Sequence, residues 1–123
     1  LYFQDKEKQE IKPEARLIDI KEIINTPYEK LLEMLIQGPK NDKLERVIPE
    51  GTMVLKTYME NDCLVIDFSK DFLNYDMEKE NGKNNMVKSI VNTLTELTEV
   101  NKIKILIEGY ENENFNEVYT REK

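Results

Sequence analysis

The sequence predicts an α+β fold, a two-layer sandwich with two helices packed on one face of a mixed β-sheet. Three observations point there. Residues 47–72 alternate apolar and polar side chains as two strands joined by a short turn. One segment before this hairpin and one after it repeat apolar residues at helical spacing. A further alternating run, 102–108, follows the second helical segment. A two-stranded ribbon with one apolar face is not stable alone. Helices must cover it, and the order strand, helix, strand, strand, helix, strand builds such a two-layer unit.

Taken in order, residues 1–4 read as a short aromatic-rich strand. They coincide with part of a protease-recognition tag, but we read them as native. Residues 5–13 are charged and end in Pro13, which predicts a turn or loop. Residues 16–20 read as another extended piece, although Ile23 and Ile24 blur that reading. The first helix has the clearest signals. Thr26 suits the cap, Pro27 the first helical position, and Glu29 completes a T-x-x-E capping box. Tyr28, Leu31, Leu32, Leu35 and Ile36 form its apolar stripe, with Glu29, Lys30, Glu33 and Gln37 outside. Gly38-Pro39 ends it.

Pro49-Glu50-Gly51 is a turn with Gly51 expected at positive φ. In the hairpin, Leu64, Ile66 and Phe68 share one face, and Leu55 and Met59 are expected to join them. Asn61-Asp62 forms the turn, since both tolerate a left-handed backbone. Phe72 folds back onto the apolar layer, and 77–85 is a polar loop. The second helix runs from about residue 84 to 98, with Met86, Ile90, Leu94 and Leu97 on one stripe, broadened by Val87 and Val91. Ile103, Ile105 and Ile107 mark the inner face of the last strand. Lys56, Tyr58, Asp67, Lys102 and Lys104 are expected on the outer face of the sheet. Residues 1–110 form the domain and 111–123 a polar tail. For Phe115, Val118 and Tyr119 two readings stay open, docking on the sheet or a loose tail.

Composition excludes several classes of function. Net charge is −7, from 18 basic and 25 acidic residues, so neither nucleic acid nor an anionic membrane surface suits the chain. There is no histidine, which removes Ser-His and Cys-His nucleophile pairs and imidazole metal ligation. The single Cys63 allows no internal disulfide and reads as a packed strand residue. The 4 glycines have neither P-loop nor dinucleotide spacing, and no cofactor is expected. No run of 18 apolar residues exists, so no membrane-spanning helix is expected. Signal peptide and initiator Met are both missing, so the chain reads as a trimmed segment whose export signal would lie upstream.

Ordered blocks then carry a resemblance. Val47–Thr52 (VIPEGT), Asp67–Phe72 (DFSKDF), Ile90–Leu97 (IVNTLTEL) and Ile105–Gly109 (ILIEG) resemble the successive signatures of the GerM domain, a sporulation and spore germination module. Tyr2-Phe3-Gln4-Asp5 followed by Pro13-Glu14-Ala15-Arg16 resembles the family's opening YFPD and PE-x-R. LLEMLIQGP resembles its first helix. The chain departs from the family at turns. Asn61-Asp62 and KENGKNN replace Gly-rich turns, and Thr98-Glu99 stands where Pro-Gly is common. The resemblance implies an αββαβ unit like ring-building motifs. It also implies a non-enzymatic, extracytoplasmic role, usually on a lipoprotein anchored by a lipidated Cys upstream.

The leading expectation is therefore a protein–protein assembly module of the cell envelope, acting in sporulation or germination, with protein partners and possible self-association. Its candidate interaction surface comprises Lys30 and Glu33 on the first helix, Glu50 in the turn, Asp67 in the hairpin and Lys79 in the polar loop. Asp67 carries a second reading, an outward strand residue that meets a cross-strand Lys or caps the following turn. The alternative function is a cell-wall module that binds peptidoglycan through Tyr58, Tyr75, Tyr110 or Tyr119, although no pattern groups these residues. An enzyme is disfavoured, because no catalytic constellation is present.

Overall fold

The computed structural model describes residues 1–75 and 82–121, the side chain of Ile23 excepted. The hairpin is its centre. Strand β4 (Val54–Glu60) runs antiparallel to β5 (Cys63–Phe68) around the Asn61-Asp62 turn, and of the two turn residues Asn61 takes the left-handed backbone, at φ 61°. Strand β6 (Lys102–Ile107) lies parallel to β5, and β7 (Val118–Thr120) returns antiparallel to β6. The four-stranded sheet thus has the order β4-β5-β6-β7.

One face of this sheet is dry. Leu64, Ile66, Phe68, Ile103 and Ile105 are each fully buried. Helices α2 (Pro27–Gln37) and α3 (Gly82–Leu94) complete the core beside them, through Leu31, Leu32 and Leu35 and through Met86, Ile90 and Leu94. This is the two-layer α+β arrangement the sequence predicts. Helix α2 stops at Gly38, whose φ of 100° suits glycine and whose N–H bonds the Met34 carbonyl. Gly51 takes the expected positive φ, at 89°.

A second, three-stranded sheet of order β2-β1-β3 joins β1 (Tyr2–Asp5), β2 (Ile11–Pro13) and β3 (Leu44–Glu45). It is held to α3 by two small hydroxyls. Thr93 Oγ1 accepts from the Tyr2 N–H at 3.1 Å, and Ser89 Oγ donates to the Tyr2 carbonyl. Phe3 from the same strand is fully buried in the main core.

Four local expectations are corrected. Residues 11–13, expected in a loop, pair with β1, and Pro13 is accommodated because β2 is an edge strand. Residues 16–20 are not extended as a strand. Asp19 accepts from the Lys21 N–H and starts a short helix, α1 (Ile20–Asn25). Thr26 makes no side-chain cap for α2, because it also terminates α1 and turns its hydroxyl back to the Glu22 carbonyl. Its expected box partner Glu29 instead accepts from the Thr57 hydroxyl on β4. Leu55 leaves the inner face because a bulge between Val54 and Lys56 shifts the register, and it is exposed.

The C-terminal segment docks on the sheet. Phe115 is 1% exposed and packs edge-on to Phe72, which in turn stacks on Phe68. Arg121 reaches back to the other end of the chain, donating to Glu96 at 2.8 Å and to the Tyr2 hydroxyl at 2.9 Å.

Candidate interaction surface

The conspicuous polar residues of the signature blocks are spent on holding the fold together. Asp67 is 8% exposed, and its carboxylate accepts from the Gly109 N–H at 2.9 Å. One turn away the exchange is reversed, since Glu108 accepts from the Lys70 N–H at 2.9 Å. DFSK and IEG therefore clasp each other at one end of β5 and β6. Ser69 Oγ accepts from the Met53 N–H, and the Thr52 hydroxyl donates to the Pro49 carbonyl, which ties VIPEGT to the same end.

The opening PE-x-R makes a second clasp. Glu14 accepts from the Arg16 guanidinium at 2.6 Å and from the N–H groups of Asn41 and Lys40. Burial pushes the Glu14 carboxyl up, but those N–H groups and the guanidinium outweigh it and hold it below the ordinary glutamate range. Arg16 also donates to the Gly38 carbonyl, and Arg46 to the Gln37 carbonyl. Two cations thus sit on the carbonyl end of α2, where the helix dipole favours them.

The five predicted surface residues do not form one patch. Asp67 lies inside the first clasp and offers no exposed acid to a partner. Its true cap is Gly109 rather than the Ser69-Lys70 turn, because the parallel pairing of β5 with β6 brings the two strand ends together. Lys30 and Glu33 stand on α2. Lys30 is half-buried and pairs with Glu22 of α1 at 3.4 Å, whereas Glu33 is exposed. Glu50 is exposed at its turn, 3.7 Å from Arg46. Lys79 and most of its polar loop lie outside the described residues.

The open ground is the other face of the four-stranded sheet. β4 presents Lys56, Tyr58 and Glu60 there, β6 presents Lys102 and Lys104, and β7 presents Val118 and Thr120. Lys56 Nζ lies over the Tyr58 ring, and Lys104 pairs with Glu111 at 2.7 Å. Among the described residues no helix or strand crosses this face. A shallow hollow on it is lined by Cys63, Val65, Lys102, Lys104 and Val118. Burial and the neighbouring Asp62 and Glu60 push the Cys63 thiol up. Sequence reasoning missed the exposed Met53 and Leu55 beside this face, and also Leu17, Ile20 and Ile24 around α1. The alternation pattern could not reveal them, since a bulge and a short helix override it.

A second groove lies between α3 and the C-terminal segment, lined by Lys88, Asn84, Asn92, Asn116, Glu117 and Tyr119. The tyrosines do not converge on it. Tyr58 is on the open face, Tyr75 packs edge-on to Phe115, and Tyr110 projects from the turn after β6. Among the described residues no group of three or more acids or cysteines could hold a metal ion. No described helix is long and apolar enough to cross a membrane.

These features define a small two-layer α+β module whose four-stranded sheet has, among the described residues, a face with no helix or strand over it. The chain belongs to the Germane family, described as sporulation and spore germination, which matches residues 1–113. It is 34% identical over 85 residues to the spore germination protein GerM of Bacillus subtilis (strain 168). That match takes in 65% of this chain and 22% of the relative, so the chain spans about a fifth of its length. The first GerMN domain of the Bacillus subtilis sporulation protein GerM superposes with a TM-score of 0.67 at 26% identity, covering 91% of this chain and 83% of that one. The tandem GerMN domains of the same protein give a TM-score of 0.74 at 24% identity, with 98% of this chain on 43% of that one. A candidate lipoprotein from Clostridium perfringens gives 0.70 at 24% identity, with 98% and 84% covered.

Proposed function

We propose that this chain is a non-enzymatic protein–protein assembly module acting outside the cytoplasm, in the cell envelope of a sporulating or germinating cell. The observation that carries this reading is the open face of the four-stranded sheet, with exposed Lys56, Tyr58, Lys102 and Val118 and, among the described residues, no helix or strand layered over it. Such a face and its edges offer docking surface to another protein. The order α2, β4, β5, α3, β6 supports kinship with αββαβ ring-building modules. The likeness to a candidate lipoprotein supports a lipid anchor upstream of this domain in the full-length protein.

The amide-lined groove beside α3, with Tyr119 in its wall, is the feature that favours the second reading, a peptidoglycan-binding module. One experiment separates the two. A photo-crosslinking residue is placed at Tyr58 or Lys102 of the full-length protein in sporulating cells. The assembly reading expects a discrete protein adduct at each position; the one at Tyr58 disappears on Lys102→Glu/Lys104→Glu and the one at Lys102 on Lys104→Glu. Retention on purified peptidoglycan, with no protein adduct at either position, overturns it in favour of the wall-binding reading.

A further inference from the structure

β4 is the last strand of its sheet, so one of its sides carries no strand. A two-residue turn makes Glu60 and Cys63 the innermost hydrogen-bonded pair, and the pattern alternates from there. Tyr58–Val65 and Lys56–Asp67 are then bonded pairs too, which leaves Thr57 and Met59 with N–H and C=O groups directed at the free edge. Among the described residues nothing takes up these groups. The bulge at Val54/Lys56 and the turn at Asn61 confine the regular edge to Lys56–Glu60, whose midpoint is Tyr58.

That edge complements itself. When two copies run antiparallel about Tyr58, Thr57 lies opposite the second copy's Met59, and the outward main-chain groups meet as bonded pairs. On the open face Lys56 lies opposite the second copy's Glu60, twice over, and the two Tyr58 rings are neighbours across the axis. Lys56, Tyr58 and Glu60 are all exposed, so no inner contact must break. Moving the axis to Thr57 or Met59 loses both Lys56–Glu60 pairs. A lysine and a bulge on an edge strand guard it against indiscriminate pairing. In this register the lysine is matched.

We propose that the module self-associates through β4, pairing with a second copy across a two-fold axis at Tyr58 to join two four-stranded sheets into one. This rests on the assembly reading and names its partner as a second copy. The contact is short, so association is weak and depends on concentration.

Sedimentation equilibrium of the domain up to about 1 mM tests it, since mass action reveals a weak dimer only at high concentration. A monomer–dimer equilibrium is expected. Lys56→Glu and Glu60→Lys should each weaken it by about fivefold or more, because each replaces two attractive cross-strand pairs with two repulsive ones. The double exchange should restore it. Residues opposite each other in a non-bonded pair have Cα atoms about 4.5 Å apart, within disulfide reach. Tyr58→Cys in a Cys63→Ser background should therefore oxidise to a covalent dimer, whereas Lys56→Cys in that background should not. A monomer at every concentration overturns the proposal, as does a dimer indifferent to both charge reversals or a Tyr58→Cys variant that fails to link. A monomer that still yields a heterologous adduct in cells would overturn self-pairing alone and leave the assembly reading standing.

Discussion

The Asp67 carboxylate accepts a 2.9 Å hydrogen bond from the backbone N–H of Gly109, a residue 42 positions later in the chain. Gly109 has φ 84° and follows Glu108 at φ 50°, so the chain leaves β6 through two left-handed residues. The bond steadies that exit, and the Glu108 carboxylate on the Lys70 N–H steadies the exit from β5 in return. An acid that resembles a partner-binding group in the sequence is therefore a strap between two strand ends.

Replacing that acid should cost stability rather than binding. Asp67→Ala removes the acceptor of this part-buried bond, and a hydrogen bond of this kind contributes about 0.5–1.5 kcal/mol. Asp67→Asn keeps an acceptor oxygen and should recover most of the loss. Urea denaturation with linear extrapolation checks both.

The missing cap at Thr26 gives a second expectation. A Thr that bonds the first turn of a helix contributes about 1 kcal/mol. Here the hydroxyl points back to Glu22 at 3.5 Å, so Thr26→Ala should change stability by less than about 0.5 kcal/mol. Glu29→Ala should cost more, because it removes the acceptor of the Thr57 hydroxyl that ties α2 to β4. Thermal melts of the two variants side by side decide the order.

Phe115 belongs to the core despite its place in a polar segment. Its ring centroid is 5.1 Å from that of Phe72 and 5.9 Å from that of Tyr75. Phe115→Ala should destabilise the domain by about 3–5 kcal/mol, as large-to-small changes at buried aromatics do. Ending the chain at Gly109 removes this ring together with β7, and should do at least as much harm. Chemical denaturation of both forms tests whether the segment is integral.

Glu14 predicts the response to acid. Its folded pKa lies below the ordinary glutamate value, so folding favours the charged form. The stabilisation it contributes is complete above the ordinary value and is lost as the pH falls through the lower folded one. Glu14→Gln should be less stable than the wild type at pH 7, yet lose less on acidification through that window. Melting temperatures measured at a series of pH values give both signs in one experiment.

The self-contained parts of the fold are the parts a reader of the sequence can find. Helix α2 is written in the spacing of Leu31, Leu32 and Leu35 and in Gly38-Pro39, all within a few residues of one another. The hairpin follows from alternation around Asn61-Asp62, and α3 from the stripe of Met86, Ile90 and Leu94. Periodicity also places Ile103 and Ile105 on the buried face of β6. These signals suffice for a two-layer α+β domain, and the ordered blocks suffice for its family.

Tertiary structure decided where the polar groups go. β2 and β7 exist because β1 and β6 offer them partners, not because three-residue strands have a pattern of their own. Leu55 is exposed because a bulge breaks the alternation, and Thr26 is no cap because two helices meet there. Which acid clasps which N–H was invisible in the sequence, since Asp67 meets Gly109, and Glu14 meets Asn41, only once the sheet and helices are packed. Sequence by itself determines local periodicity, because helix and strand repeat within a few residues. It leaves open the long-range hydrogen bonds, whose energy depends on distances that exist only in the folded chain.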